Sequence, residues 1–194
     1  MKKALIVLAN PNGMESFCGA LAQMAAEVLQ AAGYDVVTRD LYAEGFNPVL
    51  SREELAAKNE DVSGAWLADI QQVVESEFYV VIHPNWWGMP PAILKGWIDR
   101  VVRQGFCYNF TEAGPVRHLE GHRAVVFTTG NTPQEIEDAF NGDPLENLWK
   151  NIVWKTVGVD DFVRMNITPI IGSTLEQRQT WLAEAKTLLE TRVK

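Results

Sequence analysis

Short apolar runs alternate along this chain with longer stretches in which apolar residues return every three or four positions. The runs 4–9 (ALIVLA), 78–83 (FYVVIH) and 124–128 (AVVFT) are almost continuously apolar, as strands buried on both faces of a parallel sheet must be. Runs 35–39 and 162–171 supply two more strand candidates. Periodicity predicts helices over 16–32, roughly 62–74, 91–102, 133–157 with a break at Pro144, and 174–192. In the first helix, Leu21, Ala25, Val28 and Leu29 form one apolar stripe. Ser16 stands at the N-cap position, and Gly33 can take the left-handed stop. Alternating strands and helices, joined by right-handed crossovers, give an open α/β sandwich with a five-stranded parallel sheet. Ligands of such sheets bind beyond the carboxyl ends of the strands. That rule gathers three loops at one edge: 10–16, 84–91 and 129–134.

Composition narrows the partners. The 194 residues, about half of them apolar, suffice for one full core, and a single domain over 1–194 is expected. The formal net charge of −8, with no basic run, argues against nucleic acid and anionic membrane surfaces. The opening MKKALIVLAN has two lysines before an apolar run, but that run stops at Ala9. It is too short for a signal core or a membrane span, so a strand is expected, with no membrane insertion. Cys18 and Cys107 have neither metal-type nor disulfide-framework spacing, which fits a reducing, cytoplasmic setting. No metal is expected. His118 and His122 flank the turn HLEGH, where Gly121 and the following strand favour a loop over a metal-binding helix.

Each loop admits two readings. In NPNGMESF, orphan amides and a helix dipole can cradle a phosphate, or Asn-Gly simply turns and Ser16 simply caps. Neither GxGxxG nor GxxxxGK[ST] is present, so neither a dinucleotide fingerprint nor an ATP loop is expected. In HPNWWGMPP, the prolines stiffen the backbone and leave the amides of Asn85, Trp86, Trp87 and Gly88 as an arc for a planar ring edge. The other reading plugs both tryptophans into the core and starts a helix at Pro91. In TTGNTPQE, Thr128 and Thr129 offer hydroxyls, Gly130 allows close approach and Asn131 tolerates positive φ. Its alternative is a turn with Thr132 as cap and Pro133 as first helical residue. Convergence of the three at one edge is a stronger signal than any one alone.

Four segments resemble the flavodoxin-like NAD(P)H:quinone oxidoreductases, the DT-diaphorase group and its bacterial relatives. They are ALIVLAN with ESFCGAL (within 4–21), DLYAEGFNPVLSREE (40–54), HPNWWGMPPAILKGW with DRV (83–101) and RAVVFTTG (123–130), in the family's order. The resemblance implies a flavodoxin-like three-layer sandwich holding a flavin, FAD with FMN as the alternative. It implies NAD(P)H as electron donor, quinones as acceptors, ping-pong hydride transfer through the flavin, and a homodimer. It places Asn10, Ser16, Phe17 and Cys18 at the pyrophosphate. Pro84, Asn85, Trp86, Trp87 and Gly88 line the isoalloxazine, and Thr128, Thr129, Gly130 and Asn131 face its other edge. Tyr108 and Phe110 match aromatics that wall the substrate pocket, often across the dimer interface.

The chain departs from that pattern in places. Asn10 replaces a common His, Cys18 a common Asn, and Asn131 the second glycine of TTGG. Some members follow TTGG with a Tyr and a His that steady charge on the reduced flavin. Here the last tyrosine is Tyr108 and the last histidine His122; the nearest analogues, Glu135 and Asn141, cannot do that job. No catalytic side chain is therefore named. Two other roles stay open: an ancillary subunit of a potassium-efflux system, and a flavodoxin-type electron carrier. His83 is either structural or a proton donor, and Cys18 either a core filler or a helix-start thiol of lowered pKa. Glu53, Glu54, Glu60 and Asp61 read as a solvated face, within a long segment that could cover the cofactor.

Overall fold

The computed structural model describes residues 2–194, without the side chains of residues 140 and 141, so the comparison with Asn141 lies outside the described residues. Five strands, β1 Lys3–Leu8, β2 Asp35–Asp40, β3 Phe78–Pro84, β6 Arg123–Thr129 and β7 Asp161–Ile167, form one parallel sheet in the order β2–β1–β3–β6–β7. The three almost continuously apolar runs are the three central strands. Side-chain alternation feeds two cores. Ala4, Ile6 and Leu8 pack under α1 (Phe17–Ala31) and the final helix Leu175–Arg192. Leu5, Val7 and Ala9 face α3 (Gly64–Glu75) and α4 (Ala92–Val101). The switch in strand order at β1 and β3 opens the crevice where loops 10–16, 84–91 and 129–134 meet.

Several boundaries move for local reasons. Ser16 and Thr174 are caps, their side chains accepting from Gly19 and Gln177 amides. Gly33 takes the left-handed stop at φ 85°. β7 ends at Ile167, where the next ladder positions meet Pro169, which has no amide to give. Pro133 and Pro91 precede their helices as caps, one position off the expectation that each opens the first turn. The helical segment 134–157 breaks at Gly142 and Asp143, both left-handed, and Asp143 caps the turn that Pro144 opens. A hairpin of β4 (Tyr108–Thr111) and β5 (Gly114–Arg117) has no counterpart among the strands the sequence pattern predicts.

The long segment after β2 is a strap across α4. A Cβ on Gly96 would overlap the carbonyl of Pro48, so the glycine lets the chain lie on the helix backbone. Arg100 then grips Glu54 at 2.5 Å and donates to the carbonyl of Asn47. Arg103 stacks on Trp66 and donates to the carbonyls of Glu54 and Ala57. Glu54, at α2 (Arg52–Ala56), thus leaves the solvated face assigned to it; the Arg100 hydrogen bonds hold its carboxyl below the ordinary range.

Candidate functional site

The first loop spends its hydroxyl internally. Ser16 Oγ donates to the Gly13 carbonyl at 2.7 Å and accepts from the Gly19 amide at 3.0 Å. What remains outward is backbone: the amides of Phe17 and Cys18, at the start of α1, have no partner among the described residues. Asn10 Oδ1 accepts from the Asn12 amide and holds the turn. The Phe17 ring meets Trp181 edge-on. Cys18 is buried with Sγ 3.4 Å from Thr129 Oγ1, and burial pushes its thiol up, against the reading of an activated helix-start cysteine.

The second loop is a reverse turn closed on itself. Trp86 and Met89 exchange amide–carbonyl bonds at 3.0 Å, and the central residues Trp87 and Gly88 are both left-handed, at φ 57° and 70°. A left-handed tryptophan is a strained choice. The arc of four amides expected from sequence is mostly consumed. Asn85 donates to the Thr129 carbonyl at 2.7 Å, Trp86 to Met89, and Gly88 to Asn85 Oδ1 at 2.9 Å. Only the Trp87 amide of the four has no partner among the described residues. The tryptophans do not plug the core: Trp86 is 45% and Trp87 101% exposed.

Hydroxyls of the third loop are also committed. Thr128 Oγ1 donates to Asn166 Oδ1 at 2.9 Å and accepts from Arg164 at 2.8 Å, while Thr129 faces Cys18. Asn131 is not left-handed, so its tolerance of positive φ is not used; its Oδ1 accepts the Ile171 amide at 2.9 Å. Gly130 is not left-handed either, and a Cβ there would meet nothing nearer than 3.7 Å. The chain's own packing does not require glycine at this position.

Between the second and third loops lies a cavity of about 640 Å³, lined by Asn85, Trp87, Gly88, Gly130 and Asn131 together with Thr132, Glu137 and Pro144. Sequence reading does not find the last three. Glu137 carries no signal because an acid on a helical stretch normally faces water, yet it is buried and accepts from Asn85 Nδ2 at 3.1 Å. Tyr108 and Phe110 do not line this cavity; they pack edge-on with each other on the hairpin, and Tyr108 lines clefts elsewhere.

Beneath the loops, the floor is rigid. Trp149 Nε1, a donor only, points at His83 Nε2 at 3.0 Å, so Nδ1 carries the proton and donates to the Pro84 carbonyl at 2.8 Å. With both nitrogens bonded, His83 is structural. Burial, aided by the nearby Arg164 charge, lowers its pKa to about 4. Arg164, nearly buried on β7, pairs with Asp143 and Glu146 and ties the broken helix to the sheet. His118 and His122 are engaged apart, with Phe106 and Tyr79 respectively. Among the described residues no helix is long and apolar enough to cross a membrane.

Comparison with known proteins agrees with this architecture. A family model described as "Flavodoxin-like fold" matches residues 2–189. An uncharacterized NAD(P)H oxidoreductase of Haemophilus influenzae is 38% identical over 64% of this chain and 62% of its own length. The mouse ribosyldihydronicotinamide dehydrogenase [quinone] is 33% identical over 76% of this chain and 72% of its own. The chain thus spans about three fifths of the length of the first two curated relatives it matches. An FMN-dependent NADH-azoreductase from Bacillus anthracis, solved in complex with FMN, superposes over the whole of both chains with a TM-score of 0.81 at 19% identity, a likeness of fold. The chain belongs to the flavodoxin-like family that includes the NAD(P)H:quinone oxidoreductases.

Proposed function

We propose that this protein is a flavin-dependent NAD(P)H:quinone oxidoreductase. One observation carries the reading: a cavity at the carboxyl edge of the sheet, beside the switch point, is bordered by a glycine the fold does not need and by a fully exposed, left-handed tryptophan. The residues present fit a flavin. Partnerless Phe17 and Cys18 amides suit its phosphate, and the open face over Gly130 admits a flat ring. A bound flavin supplies the two-electron redox chemistry linking a nicotinamide donor to a quinone.

The chain's own contribution is placement. Phe17 and Cys18 hold the anion by backbone alone, with Asn10 and Ser16 shaping that loop. Pro84, Asn85 and Trp86 fix one wall, where the Trp87 amide is the donor offered and the Trp87 and Gly88 backbone closes the side. Thr128 and Thr129 set the height of Gly130 and Asn131 opposite. His83, held neutral and doubly bonded, does not deliver protons; none of these residues is assigned that role. Tyr108 and Phe110 lie outside the cavity within one copy, and the homodimer that the resemblance implies would bring them to it from the partner. Exposed Trp86, Trp87, Met89 and Phe110 provide apolar surface for that contact. Two buried free cysteines agree with a cytoplasmic location. The Ser-Phe pair of the resemblance supports FAD, and the FMN of the azoreductase supports FMN.

The test is direct. The purified protein should be yellow, and mass spectrometry of the released chromophore should give FAD or FMN. Initial rates with NADH or NADPH against a benzoquinone should give parallel double-reciprocal lines. A protein that cannot be loaded with either flavin, or a loaded protein that turns over no quinone, would overturn the proposal.

A further inference from the structure

The strained turn at the cavity is dictated from across the site by a residue outside it in sequence. Asn85 makes three bonds: its amide donates to the Thr129 carbonyl at 2.7 Å, its Oδ1 accepts the Gly88 amide at 2.9 Å, and its Nδ2 donates to Glu137 Oε1 at 3.1 Å. An asparagine side chain can sit in either of two amide orientations of nearly identical shape. A carboxylate accepts only, so Glu137 selects the orientation with the NH2 toward itself and the carbonyl oxygen toward Gly88. The opposite orientation sets an NH2 group against the Gly88 N–H, donor against donor. The Gly88 amide would then be left without its partner inside a turn whose central Trp87 is left-handed and fully exposed. Nothing in the packing of the Trp87 side chain compensates that conformation, so the turn is held by its backbone bonds between Trp86 and Met89 and by the Asn85 side-chain bond to Gly88.

We propose that Glu137 is a positioning residue. Through the Asn85 amide it fixes the Trp86–Met89 reverse turn, and with it the wall of the cavity formed by Trp87 and Gly88. This deepens the reading of the cavity as a flavin site and rests on it only for the ligand. The link spans the two loops that border the cavity, since Glu137 belongs to the helical segment after Gly130 and Asn85 to the end of β3. Glu137 is only 7% exposed, so its carboxylate is turned to the protein rather than to solvent.

Reversing the polarity of the bond tests this. Asn85→Asp alone sets two carboxylates face to face. Combined with Glu137→Gln, it restores the bond between residues 85 and 137 in the opposite sense and keeps the acceptor for the Gly88 amide. The introduced glutamine donates through its Nε2 to one oxygen of the introduced aspartate, and the other oxygen accepts the Gly88 amide. The first readout needs no ligand. Hydrogen exchange of the Gly88 amide, followed by NMR in the flavin-free protein, should accelerate about tenfold in Asn85→Asp, and the double variant should return to within about threefold of wild type. The second readout is the Kd for FMN and for FAD, expected to weaken about tenfold and recover in the same pattern. A buried structural role without orientation control gives additive damage. A double variant no better than Asn85→Asp in Gly88 exchange overturns the proposal. Should Asn85→Asp fail to fold, the wild-type protein decides: the Asn85 Nδ2 protons must exchange much more slowly than those of exposed Asn12, and equal rates overturn it. Recovery of Gly88 exchange in a protein that binds neither flavin would keep the positioning role and sink the proposed function.

Discussion

Two adjacent stretches of one sequence string meet opposite fates. In α4, residue choice is explained from within. Gly96 is glycine because the strap at Pro48 lies on it, Trp97 is 3% exposed, and Arg100 holds Glu54. In the loop just before it, Trp87 is 101% exposed in a conformation that disfavours any side chain, and its ring packs into nothing. Both stretches carry tryptophan, but only one needs its indole in order to fold; Gly88, left-handed and with Pro144 where a Cβ would sit, belongs with Gly96. The contrast separates scaffold from site: a residue whose identity the fold does not explain is one whose identity something else must explain. Gly130 passes the same test, because a Cβ there would make ordinary contacts.

The largest expected effect lies on the scaffold side. Gly96→Ala pushes a methyl into the Pro48 backbone, which cannot yield without lifting the strap. The cost should be about 3 kcal/mol, the upper end for overpacking. A lowered urea midpoint at unchanged m, with new protease cleavage within 47–58, would confirm it. A stability within ~0.5 kcal/mol of wild type would mean the strap is loosely held, and the distinction between the two stretches would blur.

Next comes the floor of the site. His83 has a folded pKa of about 4, below the unfolded value near 6.5. Between those values the unfolded chain binds the extra proton, so stability falls as pH falls through that window. From pH 7 to pH 5 the loss should be roughly 2 kcal/mol. Partly buried His122 shifts in the same direction and adds to the slope. Glu54, whose pKa is lowered, contributes stability that is lost only at more acid pH, so it leaves the window largely clear. His83→Gln should flatten the slope; an equally steep one would mean that His83 is protonated in the folded protein.

Gly130→Ala tests the site side. Folding stability should stay within ~0.5 kcal/mol or rise slightly, because the residue is not left-handed. Flavin affinity should drop about tenfold, or ~1.4 kcal/mol, by the methyl's intrusion on the ring face. Loss of stability with unchanged affinity would move Gly130 to the scaffold.

Legibility in the sequence depends on whether the cause is local. Continuous apolar runs announce the central strands, and the order of strands and helices places the three loops at one edge, because burial periodicity is written directly into neighbouring residues. The hydroxyls of Ser16, Thr128 and Thr129 mislead for the opposite reason. A hydroxyl in a loop looks available until its partner is known, and the partners here are Gly13 and Gly19, Arg164 and Asn166, and Cys18. Glu137 is invisible on the same ground: the bond it makes to Asn85 reaches 52 positions away. Glu54 reads as surface because Arg100 lies on another helix. The sequence strings DLYAEGFNPVLSREE and PPAILKGW are recognisable separately, but only the structure shows them locked together through Pro48, Gly96, Glu54 and Arg100.

The smallest effect is the most discriminating, because its sign should change with the ligand. Trp87→Gly removes a left-handed side chain whose conformation costs roughly 1–2 kcal/mol, and glycine gives back part of that through the greater freedom of its unfolded chain. With no side-chain packing to lose, the flavin-free variant should gain about 0.5–1 kcal/mol over wild type, read by urea denaturation. Flavin stabilises the native state in proportion to the logarithm of its concentration over Kd. If Trp87 supplies a wall of the ring site, the variant gains less from saturating flavin than wild type does, and the order of stabilities reverses as flavin is added. A variant that stays ahead at every flavin concentration would show that the strain at Trp87 serves some purpose other than this ligand. A variant that loses stability without flavin would show that the fold does need the indole, and Trp87 would then belong with Trp97 on the scaffold side.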